Sequence, residues 1–214
     1  MNKYIAELIG TFALVFCGTG SIIINEISGG AVGNTGIAMT FGFIVTAMIY
    51  SVGDVSGAHF NPAVSIGFGL AKKMPAKEII PYIIAQLLGA LLASACLNFL
   101  FPEASTMGQT LPAGPVMQTF ILEIILTYFL MFVIINVATG SKEVGILAGL
   151  AIGLTVLLEA AFAGPITGAS MNPARSIAPA LFAGELQHLW IYILAPIIGS
   201  ALAVGSWKAM RRSL

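Results

Sequence analysis

The chain has 214 residues, 58% of them hydrophobic and 8% charged, with a mean hydropathy of +0.98. A soluble domain carries roughly 25% charged residues, so this composition excludes one and describes a chain dissolved in lipid. Nine basic residues balance nine acidic ones, which leaves no electrostatic footprint for nucleic acid.

Lys3 ahead of an apolar run has the outline of a secretory signal, but Glu7 interrupts the run and no small-residue cleavage site follows. The segment therefore reads as a retained first helix. Apolar windows of membrane-crossing length follow one another at about 4–25, 35–53, 79–101, 116–138, 144–163 and 189–208. Six spans put both termini on one side. Lys3, Lys72, Lys73, Lys77, Lys142, Lys208, Arg211 and Arg212 fall at the termini or in the second and fourth connections, which are cytoplasmic by the positive-inside rule. The opposite connections carry Glu26, Glu103, Glu185 and His188, with no lysine and a single arginine, Arg175. Cys17 and Cys96 lie in different apolar stretches and read as small buried hydrophobes rather than a disulfide. His59 and His188 are isolated, so no metal site or cofactor is expected.

Two further apolar segments, 61–71 and 172–182, are too short to cross: eleven residues at 1.5 Å each give about 16 Å, half of the roughly 30 Å hydrocarbon core. Each opens with Asn-Pro-Ala, an N-cap residue followed by the residue best suited to the first helical position. A half-length helix starting at mid-membrane is a re-entrant segment, tolerable only beside protein or a water-filled cavity. Ser56-Gly57-Ala58-His59-Phe60-Asn61-Pro62-Ala63-Val64-Ser65 aligns with Thr167-Gly168-Ala169-Ser170-Met171-Asn172-Pro173-Ala174-Arg175-Ser176, six of ten positions being identical. Upstream, Glu7-x-x-x-Thr11-Phe12 matches Glu123-x-x-x-Thr127-Tyr128. Each half, about 1–102 and 115–214, then holds three spans and one half-helix. An odd span count inverts one half against the other, and the half-helices meet tip to tip. Discontinuous helices of this kind mark a substrate pathway.

With the two Asn-Pro-Ala triplets at corresponding places, the sequence resembles the aquaporins, or major intrinsic proteins, over essentially its whole length. The stretch Ala163-Gly164-Pro165-Ile166-Thr167-Gly168-Ala169-Ser170-Met171-Asn172-Pro173-Ala174-Arg175-Ser176 is most similar to the nodulin-type plant aquaporins, the metalloid- and glycerol-permeable branch. Their long polar tails are absent, which points to a compact prokaryotic-type member. The resemblance implies an all-α membrane protein in which 1–214 is one channel domain, with six transmembrane helices and two re-entrant half-helices. It also implies a homotetramer in the cell (inner or plasma) membrane with one pore per subunit.

Asn61 and Asn172 present amide donors where the positive ends of two helix dipoles converge, so a passing oxygen accepts from both while cations and proton relays are refused. Pro62, Ala63, Pro173 and Ala174 complete the triplets. The bland alternative makes both asparagines mere caps. Arg175, an intramembrane arginine one turn after Asn172, is by default functional; the resemblance places it in the narrowest constriction, against an internal salt bridge to Glu159. The other constriction residues implied are Phe41, Ala160 and Ala169. Water-selective members usually have histidine where Ala160 stands, and glycerol facilitators an acidic residue where Ser176 stands, so this chain departs from both. Glu7 and Glu123 are implied to hold the re-entrant loop backbones, with a proton relay as the alternative. Asp54 and His59 flank the inner mouth as a wetted lining, with pH gating as the alternative. Glu159 either balances Arg175 or lines the outer mouth.

The expected activity is a passive channel for water and small uncharged solutes such as glycerol, urea and arsenous or boric acid, excluding protons and ions and performing no enzymatic reaction. A strictly water-selective channel is the narrower alternative. A secondary transporter shares broken helices and inverted repeats, and an intramembrane protease would pair Ser170 with His59.

Overall fold

The computed structural model describes residues 2–141 and 145–211; Lys142 and Arg212, two of the residues that orient the chain, lie outside the described residues. Eight helices and no strands occur among the described residues: α1 (Asn2–Ile27), α2 (Gly33–Ser56), α3 (Pro62–Leu70), α4 (Ala76–Leu100), α5 (Val116–Ala138), α6 (Ala148–Thr167), α7 (Pro173–Ala183) and α8 (Leu189–Arg211). All but α3 and α7 are long and apolar enough to cross a membrane. Their outward faces are apolar too, with Leu88, Phe129 and Leu158 exposed, as a helix solvated by lipid requires.

The expected spans agree with these helices to within about three residues except at the fifth, expected over 144–163 and observed as Ala148–Thr167, with residue 144 outside the described residues. Residue 163 is the expected end, yet α6 continues through Gly164-Pro165 to Thr167. A proline at 165 cannot donate to the carbonyl four residues back, at Ala161. That carbonyl instead accepts from Asn34 Nδ2 at 2.6 Å, so the neighbouring helix supplies the missing donor and α6 runs on for another turn. Gly57 and Gly168 then end α2 and α6 in the left-handed conformation, at φ 83° and 82°, and each turns the chain into a re-entrant loop.

α1 packs on α4 as α5 packs on α8, while α2 lies against α6. Small residues allow the close approaches: a β-carbon on Gly89 would stand 3.0 Å from Phe12 N, and one on Gly199 2.9 Å from Tyr128 N. α3 is wedged against α4 and α8, and α7 occupies the corresponding place against the same two helices. Lys208 Nζ donates to the last carbonyl of α3, Leu70 O, at 2.8 Å, a cation at a helix C-terminus. Both cysteines are free, but neither is fully buried: Cys17 is half-buried on α1, and Cys96 is exposed on α4, whose side there faces outward with Leu92 and Phe99.

Candidate functional site

The half-helices begin where the sequence places their caps. Asn61, extended at φ −155°, accepts with Oδ1 from Ala63 N at 2.9 Å. Asn172, at φ −150°, accepts from Ala174 N at 3.0 Å and Arg175 N at 3.4 Å. Capping fixes each amide with its nitrogen aimed across the midline. Asn61 Nδ2 donates to Met171 O at 2.7 Å, and Asn172 Nδ2 donates to Phe60 O at 2.9 Å. An amide nitrogen carries two hydrogens. One from each asparagine thus locks the opposite loop, and one is left over.

Those loops hold an unusual backbone. Ala58, Phe60, Ala169 and Met171 all adopt positive φ, between 41° and 53°, in the left-handed region that costs a non-glycine residue about 1–3 kcal/mol where it is not compensated. The alternation turns successive N–H groups toward one point, a nest for an anion. A fully buried glutamate fills each nest. Glu7 accepts from His59 N at 2.9 Å, Phe60 N at 2.7 Å, Ser56 Oγ at 2.7 Å and Gln86 Nε2 at 2.8 Å. Glu123 accepts from Ser170 N and Met171 N, both at 2.9 Å, and from Thr167 Oγ1 at 2.7 Å. Tyr82 OH and Tyr192 OH close the design by donating to Ser56 O and Thr167 O, the last carbonyls of α2 and α6, each at 2.8 Å.

Between the half-helices and the spans lies a cavity of about 750 Å³. Phe41, Ala160, Ala169 and Arg175 line it together, as do Asn61 and Asn172, and it continues past them to His59 and Asp54. Eight of the sequence-predicted residues are therefore brought to one lumen. His59 Nδ1 lies 3.0 Å from Ser65 Oγ and its ring stacks on Phe68 at 4.6 Å, whereas Asp54 is exposed. Ser170 Oγ bonds Asn172 O and Ser176 Oγ instead of a histidine, so the nucleophile–base pair that a protease needs is not formed.

Arg175 is 1% exposed. Its Nη1 donates to Gly108 O at 2.9 Å, its guanidinium sits 5.1 Å from the centre of the Phe41 ring, and Nε and Nη2 have no partner among the described residues. The alternative of a salt bridge with Glu159 is overturned, since both Glu159 oxygens are buried without a hydrogen-bond partner among the described residues. Nor does Glu159 line the cavity. Its side of α6 faces the helix packing, one position away from the lumen-facing Ala160, and the structure gives this carboxyl no function. The Gly108 carbonyl, the contacts of Glu26 with Ser105 and Thr106, and the 2.7 Å bond between Thr110 and Ser176 were invisible in sequence, because the loop 101–115 carries no motif. No cluster of three metal-ligating side chains occurs among the described residues.

Comparison with known proteins places these features in context. The family described as "Major intrinsic protein" matches residues 1–207. Aquaporin NIP1-1 of Zea mays is 45% identical over 212 residues, which cover 99% of this chain and 75% of that protein. Nodulin-26 of Glycine max is 45% identical over 208 residues, covering 97% and 76% respectively. Among solved structures, the X-ray structure of the aquaglyceroporin from Plasmodium falciparum is similar with a TM-score of 0.87 at 27% identity, over 96% of this chain and 94% of that one.

Proposed function

Because this chain belongs to the major intrinsic protein family, and is a passive multi-pass channel for water and small neutral solutes rather than an enzyme, we propose that its conducting path is the cavity between the half-helix starts and the spans. The observation that carries the reading is that Asn61, Asn172, Phe41, Ala160, Ala169 and Arg175, far apart in sequence, line one lumen. In this reading a solute hydroxyl accepts from the free hydrogens of Asn61 and Asn172 and, at the constriction, from Arg175 Nε and Nη2. Its carbon edge slides along Phe41, Ala160 and Ala169. Two alanines leave room for glycerol, urea, and arsenous or boric acid. Cations and protons are refused by the arginine charge and the two converging positive helix ends.

The halves 1–102 and 115–214 act as an inverted repeat, with Glu7 and Glu123 as the two loop anchors; the matched hydrogen bonds of the two carboxylates support this. The channel is a homotetramer in the cell membrane with both termini cytoplasmic. Supporting the orientation, Lys3 pairs with Glu78, Lys208 reaches Leu70, and Lys73 and Arg211 share the Trp207 ring, which gathers these basic residues at one end of the bundle. A C-terminal reporter active only on the external side would overturn that orientation. The functional test is stopped-flow light scattering of proteoliposomes with water, glycerol, urea and arsenous acid, without an ion gradient. Flux linear in solute concentration is expected. Saturating flux that needs a gradient would replace the channel reading with a secondary transporter.

A further inference from the structure

We propose that Glu26 is a positioning residue for solute selection: it anchors the outer loop that holds Arg175 against the wall of the conduit. The inference rests on the reading above that Arg175 lines the path. Glu26 stands half-buried at the end of α1 and does not touch the lumen. Its Oε1 accepts from Ser105 N at 3.0 Å and Ser105 Oγ at 2.7 Å, and its Oε2 accepts from Thr106 Oγ1 at 2.5 Å. Thr106 Oγ1 in turn accepts from Gly108 N at 3.3 Å. Gly108 has φ +64° and is seated so tightly on α1 that a β-carbon would stand 2.8 Å from Thr19 O. Its carbonyl then receives Arg175 Nη1 at 2.9 Å.

Gly108 O is the only protein acceptor that the guanidinium has among the described residues, since Nε and Nη2 are unpartnered. A charge-assisted hydrogen bond in a water-poor site is a strong restraint, but a directional one that an ångström of loop movement breaks. With the carboxylate gone, three donors lose their acceptor and the 105–108 turn loosens. Arg175, packed against Phe41 and otherwise buried, has the cavity as its free volume and turns into it. The opening then narrows, which penalises a three-carbon polyol more than water.

The test uses the full chain in proteoliposomes, with glycerol and water fluxes measured on the same preparation. Glu26→Ala is expected to lower the glycerol-to-water ratio by about two- to thirtyfold, the range of couplings transmitted through a contact network. Ser105→Ala with Thr106→Ala removes the two hydroxyl donors, attacks the same tether from the other side and is expected to lower the ratio in the same direction, with no further fall when combined with Glu26→Ala. Glu26→Asp, which keeps both acceptor oxygens, restores most of the ratio. Glu185→Gln, at a carboxylate that bonds the Gln187 backbone instead, leaves it unchanged. An unaltered ratio in Glu26→Ala while Ala160→His still changes it would overturn the tether and leave the conduit reading standing. If neither variant changes it, both fail together. Additive losses from the two sides of the tether would also overturn the proposal, because they would mean independent effects.

Discussion

Replacing Glu123 with alanine removes the acceptor for three donors at once: Ser170 N, Met171 N and Thr167 Oγ1. The threonine hydroxyl can rotate to another acceptor. The two backbone N–H groups cannot, because the left-handed residues Ala169 and Met171 aim them at the vacated point. A buried donor left unpaired costs about 1–3 kcal/mol, so the two together cost about 2–6 kcal/mol. That is a large share of the roughly 5–15 kcal/mol that holds a folded chain together. At about 2–4 °C per kcal/mol for a chain of this size, the melting temperature falls by at least about 4 °C. Flux is expected to fall as well, since Met171 O receives Asn61 Nδ2 and Ala169 lines the cavity proposed as the path. Thermal unfolding in detergent and stopped-flow flux of reconstituted protein measure the two effects. Glu7→Ala, which strands four donors, is expected to cost at least as much. A Glu123→Ala protein melting within about 2 °C of the parent and conducting water normally would refute the view that this carboxylate sustains the loop.

Arg175→Val removes one fixed charge and five donors from the lumen, so proton leak measured with a pH-sensitive dye in the liposome interior is expected to rise above the parent's while the fold survives; unchanged proton and solute permeability would take Arg175 out of the path. Glu159→Leu removes a buried carboxyl that has no hydrogen-bond partner among the described residues and is expected to raise stability by about 1–3 kcal/mol without altering the glycerol-to-water ratio. A lower melting temperature, or a changed ratio, would contradict the placement of Glu159 away from the lumen.

The parts of this molecule that repeat were the legible parts. Two Asn-Pro-Ala triplets, each a helix start in an apolar segment too short to cross, led to α3 and α7 within a residue or so. The resemblance named Glu7 and Glu123 for the re-entrant loops, and each accepts from two backbone N–H groups of one loop. The family resemblance, carried over by spacing from the asparagines, named Phe41, Ala160, Ala169 and Arg175, and all four line the cavity. What stayed hidden depends on contacts between segments remote in sequence. Asn34 supplies the donor that Pro165 lacks, and nothing in either local sequence announces it. The cross-links from Asn61 to Met171 O and from Asn172 to Phe60 O engage backbone carbonyls, which every residue has and no motif encodes. The same holds for Gly108 O, whose role depends on where Glu26 and Thr19 seat its loop. Glu159 resisted for the opposite reason: an intramembrane carboxylate demands a partner on general grounds, and the structure provides none among the described residues.

The central claim is that solutes pass between Ala160, Ala169, Phe41 and Arg175, and that the width there admits more than water. Its most direct test is the glycerol-to-water flux ratio of Ala160→His against the parent, measured in proteoliposomes. The parent is expected to conduct both solutes. The imidazole is expected to abolish most of the glycerol flux and to spare water, because it fills the lumen opposite Arg175 with a polar ring that water can still pass. Equal glycerol flux in the two proteins would show that Ala160 does not face the path, and a parent closed to glycerol, urea and arsenous acid but open to water would show that the constriction is not wide.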